Sequence, residues 1–518
     1  MSPPSQTLRV LIVGAGPAGL AAALAARARL RARGDHGRVV VIDKAPAPGA
    51  QAVSGCMCEA ALVHRLLGAA APSLLEAAGA VPVPRVDLVG LLPRHAWRLP
   101  PLLVPPFLRQ GGIWLDLPRF CAALTALAAR RGIEVYTGLA AQGLVFERGR
   151  AIGVLIGEGN PQARPSKRGT CECIIADSLI CADGACGVAT ASLRRHLAFD
   201  RPQAWSLGLR MTLRDPGHHP PAWEHLAGWP LPPGACGGGF CYRPGNGETH
   251  LGLILPLESV PPGHDPHSVM NALRTHPYLA TRCDDLMQTA GARLLPEGGW
   301  AAIGPLSAPG VLVAGDAAGL VDGRRQRGVE WAIASGMAAG AALGSPAPHR
   351  HYRALLQHTG VLPALRRGRN FRQVFALPGG PLLAPFQELL PFQLPISRAR
   401  HRDPKPPGRH PDTDRLAWWA RCRYPRHVLP HIGQRHPMLC QDCLRRQRAI
   451  CLSRCPGGVF RATRDQRIIT SHEQCLHCRT CAVICPHDNV LWTAPAEGAG
   501  PALPIEPSRQ TSSATRGR

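Results

Sequence analysis

Acidic residues are scarce in this chain. Its 518 residues hold 34 aspartates and glutamates against 59 lysines and arginines, a formal net charge of +25. The excess allows attraction to an acidic surface, whether anionic lipid, partner protein or nucleic acid. Aromatics are also few, at 5%. With the arginines scattered rather than striped, this argues against nucleic acid, whose readers combine basic patches with stacking rings. The first residues, Met1-Ser-Pro-Pro-Ser5, lack the basic start and apolar core of a secretory signal. No run of eighteen or more apolar residues escapes a Gly or Pro breaker, so no membrane-spanning helix is expected. No internal repeat is evident. Without a secretory signal a disulfide framework is not expected, and the 19 cysteines imply a reducing compartment. The length allows two to four domains with ample core.

What is present begins with those cysteines. Cys475, Cys478, Cys481 and Cys485 follow the spacing x2, x2, x3 and end in Pro486. This is the run that holds iron–sulfur clusters in bacterial ferredoxins, where the fourth cysteine serves a second cluster. A second group, Cys440, Cys443, Cys451 and Cys455, also ends in proline, Pro456. Cross-ligation gives one cluster from Cys455, Cys475, Cys478 and Cys481, and another from Cys440, Cys443, Cys451 and Cys485. Seven residues separate Cys443 from Cys451 where the pattern has two. Two alternatives stay open: a zinc knuckle at the later run, and an unmetallated, degenerate earlier half. His477, beside Cys478, reads most simply as a solvated ring, with tuning of a cluster as the sharper reading.

The N-terminus carries a different chemistry. Leu8–Val13 reads as a buried strand, Leu20–Arg33 as a helix and Val39–Ile42 as a second strand. Between the first two lies Gly14-Ala-Gly16-Pro-Ala-Gly19. The first glycine permits a tight turn, the second a close approach to pyrophosphate at the helix N-terminus, the third close helix–strand packing. Asp43, with Lys44 beside it, stands where an acid binds a ribose hydroxyl. Two later segments favour FAD over NAD: Leu179–Gly184 with Asp183, and Val311–Gly319, a strand ending in Gly315-Asp316, followed by a small-residue helix Val329–Leu343. An acid at that strand end can bond a ribityl hydroxyl.

Taken together, the three flavin segments and the terminal cysteines resemble the electron-transfer-flavoprotein:ubiquinone oxidoreductase family and the related Fix-type flavoprotein and ferredoxin-like subunits. Gly49–Gly55, Leu115–Gly138, Phe240–Leu257 with His276-Pro277, Pro296–Trp300, Arg369–Arg372 and Asn489–Pro501 are similar to family segments in the same order. The resemblance implies an α/β fold, α+β overall: a Rossmann-like FAD domain of the glutathione-reductase type, an inserted sheet-containing substrate or quinone domain, and a C-terminal ferredoxin-like 4Fe-4S domain. The expected division is 1–60, 115–200 and 300–345 for FAD; 61–114 and 201–299 for the inserted domain; 346–430 for a helical, membrane-surface segment and linker; 431–497 for the iron–sulfur domain; and 498–518 for a disordered tail. Fused members of the family carry one four-iron cluster, at positions matching Cys455, Cys475, Cys478 and Cys481. Here Cys440, Cys443, Cys451 and Cys485 are additional.

Two apolar, proline-broken stretches, Leu99–Leu108 and Val374–Ile396, suit either a partly inserted membrane surface or a buried loop. The resemblance favours a quinone entrance facing the bilayer. The expected function is an electron relay from a reduced electron-transfer flavoprotein, or a ferredoxin-like donor, through FAD and iron–sulfur to quinone. Its expected place is the inner face of a bacterial cytoplasmic membrane, bound peripherally from the cytoplasm. The rivals are an FAD-dependent reductase or hydroxylase of a small apolar substrate, and an electron-transfer subunit of a larger Fix-like complex. No general base is assigned, because a relay needs position, potential and dryness rather than proton transfer.

Overall fold

The computed structural model describes residues 8–502 apart from 54, 158–170, 216, 218, 260–264, 283–286, 326, 397–421, 425–429, 447, 496 and 497. The basic, proline-rich stretch expected as a linker at 399–408 and the polar tail from 508 lie outside these residues.

The first strand, Leu8–Val13, is flanked on both edges by parallel partners. It pairs with Arg38–Asp43 (Ile12 opposite Val41) and with Ser178–Cys181 (Ile12 opposite Ile180). The sheet extends to Glu134–Thr137 on one side and to Val311–Val313 on the other, both parallel, with a short antiparallel edge at Ser307-Ala308. Strands buried on both faces need continuous apolar runs, which Val39–Ile42 and Val311–Val313 supply. Helices Pro17–Arg31 and Val329–Ala342 lie against each other. Alanine and glycine line their contact: a methyl group on Gly336 would fall 2.1 Å from the Ala18 carbonyl oxygen.

A second core belongs to a seven-stranded, mostly antiparallel sheet. Its order is Met287–Pro296, Trp205–Arg214, Glu248–Pro256, Gly238–Arg243, Ala222–Gly228, Asp87–Leu91, Ala96–Arg98. The 61–114 segment is divided rather than wholly part of this unit. Asp87–Arg98 joins the large sheet, whereas helices Ala60–Leu67 and Ala71–Ala77 place Leu62, Val63, Leu67 and Leu74 in the first core. Their amphipathic pattern fixes that they pack, not on what.

The C-terminal unit is built from two short antiparallel ladders, Ile432–Gln434 with Val490–Trp492 and Phe460–Ala462 with Ile468–Thr470, and short helices between them. It does not stand apart. Ile450, Leu476, Cys478 and Ile484 share a core with Leu207, Leu253 and Leu294 of the large sheet. Nor does the ordered chain stop at 497: Gly500-Pro501 pairs with Cys422-Arg423, and Ala499 is buried.

Candidate flavin and iron–sulfur site

Two of the three glycines of the first turn are placed by sterics. Gly14 has φ of +106°, and a Cβ there would lie 2.3 Å from the Ala182 oxygen. On Gly19 a Cβ would meet the Gly14 oxygen at 1.8 Å, so strand and helix approach only through glycine. Gly16 differs: nothing lies within 4 Å of its missing Cβ. That free space belongs to a cavity of about 460 Å³, within the range of small-molecule and cofactor sites.

Asp43, Lys44, Asp183 and Asp316 all line this cavity. The Asp43 carboxylate accepts hydrogen bonds from the amides of Ala15 (2.6 Å) and Ala45 (2.7 Å), which locks the glycine turn. Asp183 turns toward the helix Val188–His196, accepting from Thr190 through its hydroxyl (2.5 Å) and amide (3.1 Å). Burial pushes the Asp183 carboxyl up. The Gly315 amide donates to the Ser335 hydroxyl at 2.9 Å. Burial pushes the Asp316 carboxyl up to about 6, against the pull of Arg293. Burial, with Arg293 adding to it, lowers Lys44 to about 7.

One wall of the cavity comes from the far end of the chain: His477, Cys478, Arg479, Trp492 and Ala494. His477 is therefore not solvated; it is 3% exposed. Lys44 Nζ donates to His477 Nδ1 (3.3 Å), and Nε2 stands 2.7 Å from the Tyr424 hydroxyl, which donates to the Cys475 carbonyl at 2.9 Å. This chain assigns the ring proton to Nε2. Burial holds the ring neutral, assisted by Lys44. The Arg479 guanidinium bonds the Cys186 carbonyl and sits 4.9 Å over the Trp492 ring, and the Gln142 amide donates to the Ala494 carbonyl at 3.0 Å.

The cysteines fall into two neighbourhoods. Burial pushes up the Cys481 thiol, and Cys455, Cys475 and Cys478, then Cys451 from the other group, add to the effect. Burial likewise raises Cys451 to about 12, with Cys440, Cys485, Cys455 and Cys443 contributing. Cys440, Cys443, Cys451 and Cys485 line one small pocket. Polar hydrogens point at the sulfurs: the His477 amide at Cys475 (3.4 Å) and the Thr480 hydroxyl at Cys478 (3.2 Å).

The residues fit both cofactors. An open glycine face at a helix start suits a pyrophosphate. Convergent thiols that cannot ionise together without a cation suit a metal cluster, because a coordinated thiol is deprotonated outright. Sequence reasoning did not find Arg293, Tyr424, Arg479 or His431. Arg293 and Tyr424 sit in segments without informative spacing. Arg479 lay inside the cysteine run without a stated role. His431 is buried, with a ring nitrogen within 4.8 Å of both Cys475 Sγ and His477.

Fold and site together define a Rossmann-type FAD flavoprotein joined to a ferredoxin-like 4Fe-4S unit. Residues 12–61 match the NAD(P)-binding Rossmann-like domain, and residues 434–504 match the electron transfer flavoprotein-ubiquinone oxidoreductase, 4Fe-4S family. The electron transfer flavoprotein-ubiquinone oxidoreductase of Pseudomonas aeruginosa is 26% identical, covering 96% of this chain and 98% of that one. The mitochondrial one of Oryza sativa subsp. japonica is 27% identical over 96% of this chain and 92% of its own length. The chain is thus similar to this oxidoreductase family over nearly its whole length, and its residues 434–504 match the family's iron–sulfur domain. Among solved structures, a geranylgeranyl bacteriochlorophyll reductase-like protein from Thermoplasma acidophilum shares the fold, with a TM-score of 0.53 and 21% identity over 73% of this chain and 90% of that one.

Proposed function

We propose that this protein passes electrons from a reduced electron-transfer flavoprotein, or a ferredoxin-like donor, to a membrane quinone. The observation that carries the proposal is the loop Cys475–Arg479. Its cysteines belong to a four-thiol neighbourhood while His477, Cys478 and Arg479 wall the flavin cavity. In this reading Gly14, Gly16 and Gly19 hold the FAD pyrophosphate, Asp43 and Lys44 the ribose end, and Asp183, Gly315 and Asp316 the ribityl and ring side. Cys455, Cys475, Cys478 and Cys481 hold a four-iron cluster. When bound, FAD exchanges electrons singly or in pairs and the cluster exchanges them singly.

The chain supplies position, charge and dryness. Arg293 is half-buried in the wall of the flavin cavity, within electrostatic reach of Asp43, Cys478 and Asp316, so one cation favours negative charge on both sides of the shared wall. Leu476 and Ile484 bury the cysteine loop against the large sheet, which keeps water from the path.

A quinone route is supported by the two apolar stretches, which meet at one face. Phe107 joins one apolar cluster with Val374, Ala384 and Leu390, and packs on Phe371, just before the second stretch, with ring centres 6.0 Å apart. Leu102, Leu382 and Leu389 are at least 80% exposed. Beside the first stretch a cavity of about 650 Å³ is lined by Leu99, Val104, Phe107, Gln110 and Gly111. The Gln110 and Gly111 carbonyls accept from Arg327, which also lines the flavin cavity, so the two spaces share a wall. No helix among the described residues is long and apolar enough to cross a membrane, and the proposed attachment is peripheral.

Anaerobic rapid mixing tests this reading. Reduced electron-transfer flavoprotein is expected to reduce the bound flavin, and added quinone to reoxidise it with quinol formed in step. Oxygenated product without quinone turnover would move the assignment to a hydroxylase. No quinol without further subunits would move it to a part of a larger complex.

A further inference from the structure

The C-terminal unit contains an internal repeat that the spacing of its cysteines disguises. In the first half a strand (Ile432–Gln434) leads to Cys440 and Cys443, then a five-residue helix (Ile450–Arg454), Cys455-Pro456, and a strand starting at Phe460. In the second half a strand (Ile468–Thr470) leads to Cys475 and Cys478, then a five-residue helix (Thr480–Ile484), Cys485-Pro486, and a strand starting at Val490. Each helix opens one residue before the third cysteine and closes one residue before the fourth. The pairing obeys the same two-fold relation: the first strand of each half pairs with the last strand of the other. The amide four residues after each final cysteine points at its sulfur. Val459 serves Cys455, and Asn489 serves Cys485 at 3.3 Å.

The seven residues between Cys443 and Cys451 do not break this symmetry. The helix Pro437–Arg445 runs on past Cys443 and then folds back, with the Arg448 amide bonding the Cys443 carbonyl at 2.7 Å. The excursion ends at Ile450, and Cys451 returns to the pocket it shares with Cys440, Cys443 and Cys485. The buried Asn489 side chain donates to the Cys440 sulfur at 3.1 Å, so one residue serves sulfurs from both halves. Donors aimed at sulfur favour thiolate, and clustered thiolates require a cation among them.

We propose that Cys440, Cys443, Cys451 and Cys485 hold a second four-iron cluster, related by the pseudo-two-fold to the one assigned to Cys455, Cys475, Cys478 and Cys481. It rests on the electron-relay reading for the first cluster and adds a centre that the family's single-cluster pattern lacks. The second site is the outer one: all four of its cysteines are partly exposed, whereas Cys475, Cys478 and Cys481 are buried.

The test is metal analysis and low-temperature electron paramagnetic resonance on the full chain, purified anaerobically with its FAD. About eight irons and eight acid-labile sulfides per FAD are expected, with a reduced spectrum broadened by two interacting spins. Cys443→Ser is expected to lower the count to about four irons, leave one isolated spin, and keep the FAD. About four irons in the unaltered chain, with an isolated spin, would overturn the second cluster and leave the relay reading standing. Four irons plus one zinc would overturn it in favour of a thiolate zinc site. Absence of iron would overturn both readings. The unaltered chain decides the question even where the variant fails to fold.

Discussion

Gly19 leaves no room for a methyl group, since its Cβ would stand 1.8 Å from the Gly14 oxygen, a backbone atom that cannot swing away. Gly19→Ala is therefore expected to cost roughly 1–3 kcal/mol of stability through overpacking and to empty the flavin site by displacing the turn. Flavin absorbance per protein and thermal melting would show it; full flavin with unchanged melting would refute the placement. Asp316 gives a pH-dependent expectation. Its folded pKa, about 6, lies above the ordinary 3.8, so the folded state binds the proton more tightly. That contribution is complete below about pH 4 and is lost as pH rises through 6. In flavin-free protein Asp316→Asn is expected to raise stability above pH 6, by an amount on the order of 2–3 kcal/mol, with the difference vanishing near pH 4. Melting curves at pH 4 and 7.5 test this, and an equal effect at both would exclude it. The glycines and Asp43 were legible because each answers to local backbone geometry. Arg293 was not, because its significance arises only when strand Met287–Pro296 brings it between Asp43, Asp316 and Cys478. His477 was visible but read as solvated. Spacing marks a residue beside a cysteine; it does not say that Tyr424, Lys44 and Gly500 will close over the ring.

Elements were legible where their period was continuous, as in the strands Leu8–Val13 and Arg38–Asp43, both within two residues of expectation. The helices at 60–77 were assigned by position in the chain to the inserted domain, and tertiary packing sends them to the flavin core. The repeat of the C-terminal unit was hidden by the excursion after Cys443, which is visible as a detour only once the strands pair. At this scale the stretch 374–396 carries its own prediction. Asn370 and Gln387 tie it to the body: the Asn370 side chain donates to the Phe392 carbonyl at 2.7 Å, and its amide donates to Gln387 Oε1 at 3.0 Å. Leu382, Phe386 and Leu389 face outward, 64–80% exposed. Replacing all three with glutamate removes roughly 1.5–3 kcal/mol of apolar transfer per side chain without opening the core. Vesicle binding is expected to fall at least about a hundredfold, while folding, flavin content and reduction by the donor persist. Unchanged flotation with anionic vesicles would show that this face meets something other than a bilayer.

Across the whole molecule, the question is whether the iron–sulfur unit is an appendage or part of the flavin site. Among the described residues, the bonds that cross the junction include Lys44 to His477, Gln142 to the Ala494 carbonyl, and Arg479 to the Cys186 carbonyl. The apolar contacts are more telling, because Ile450, Leu476 and Ile484 share one core with Leu207 and Leu253, and removing them would uncover the large sheet. An appendage could be cut away and leave a yellow protein. Here, ending the chain at residue 430 is expected to release FAD along with iron, since the cavity loses the wall made by His477, Cys478 and Arg479, and to leave an aggregating remainder. Size-exclusion chromatography with the flavin-to-protein ratio measures both effects. A monodisperse, fully flavinylated remainder would mean that the shared wall is dispensable, and that the nearness of thiols to flavin is not what holds the two sites together. Loss of FAD on truncation but not on Cys478→Ser would separate the two roles of the loop, one closing the flavin cavity and the other holding iron.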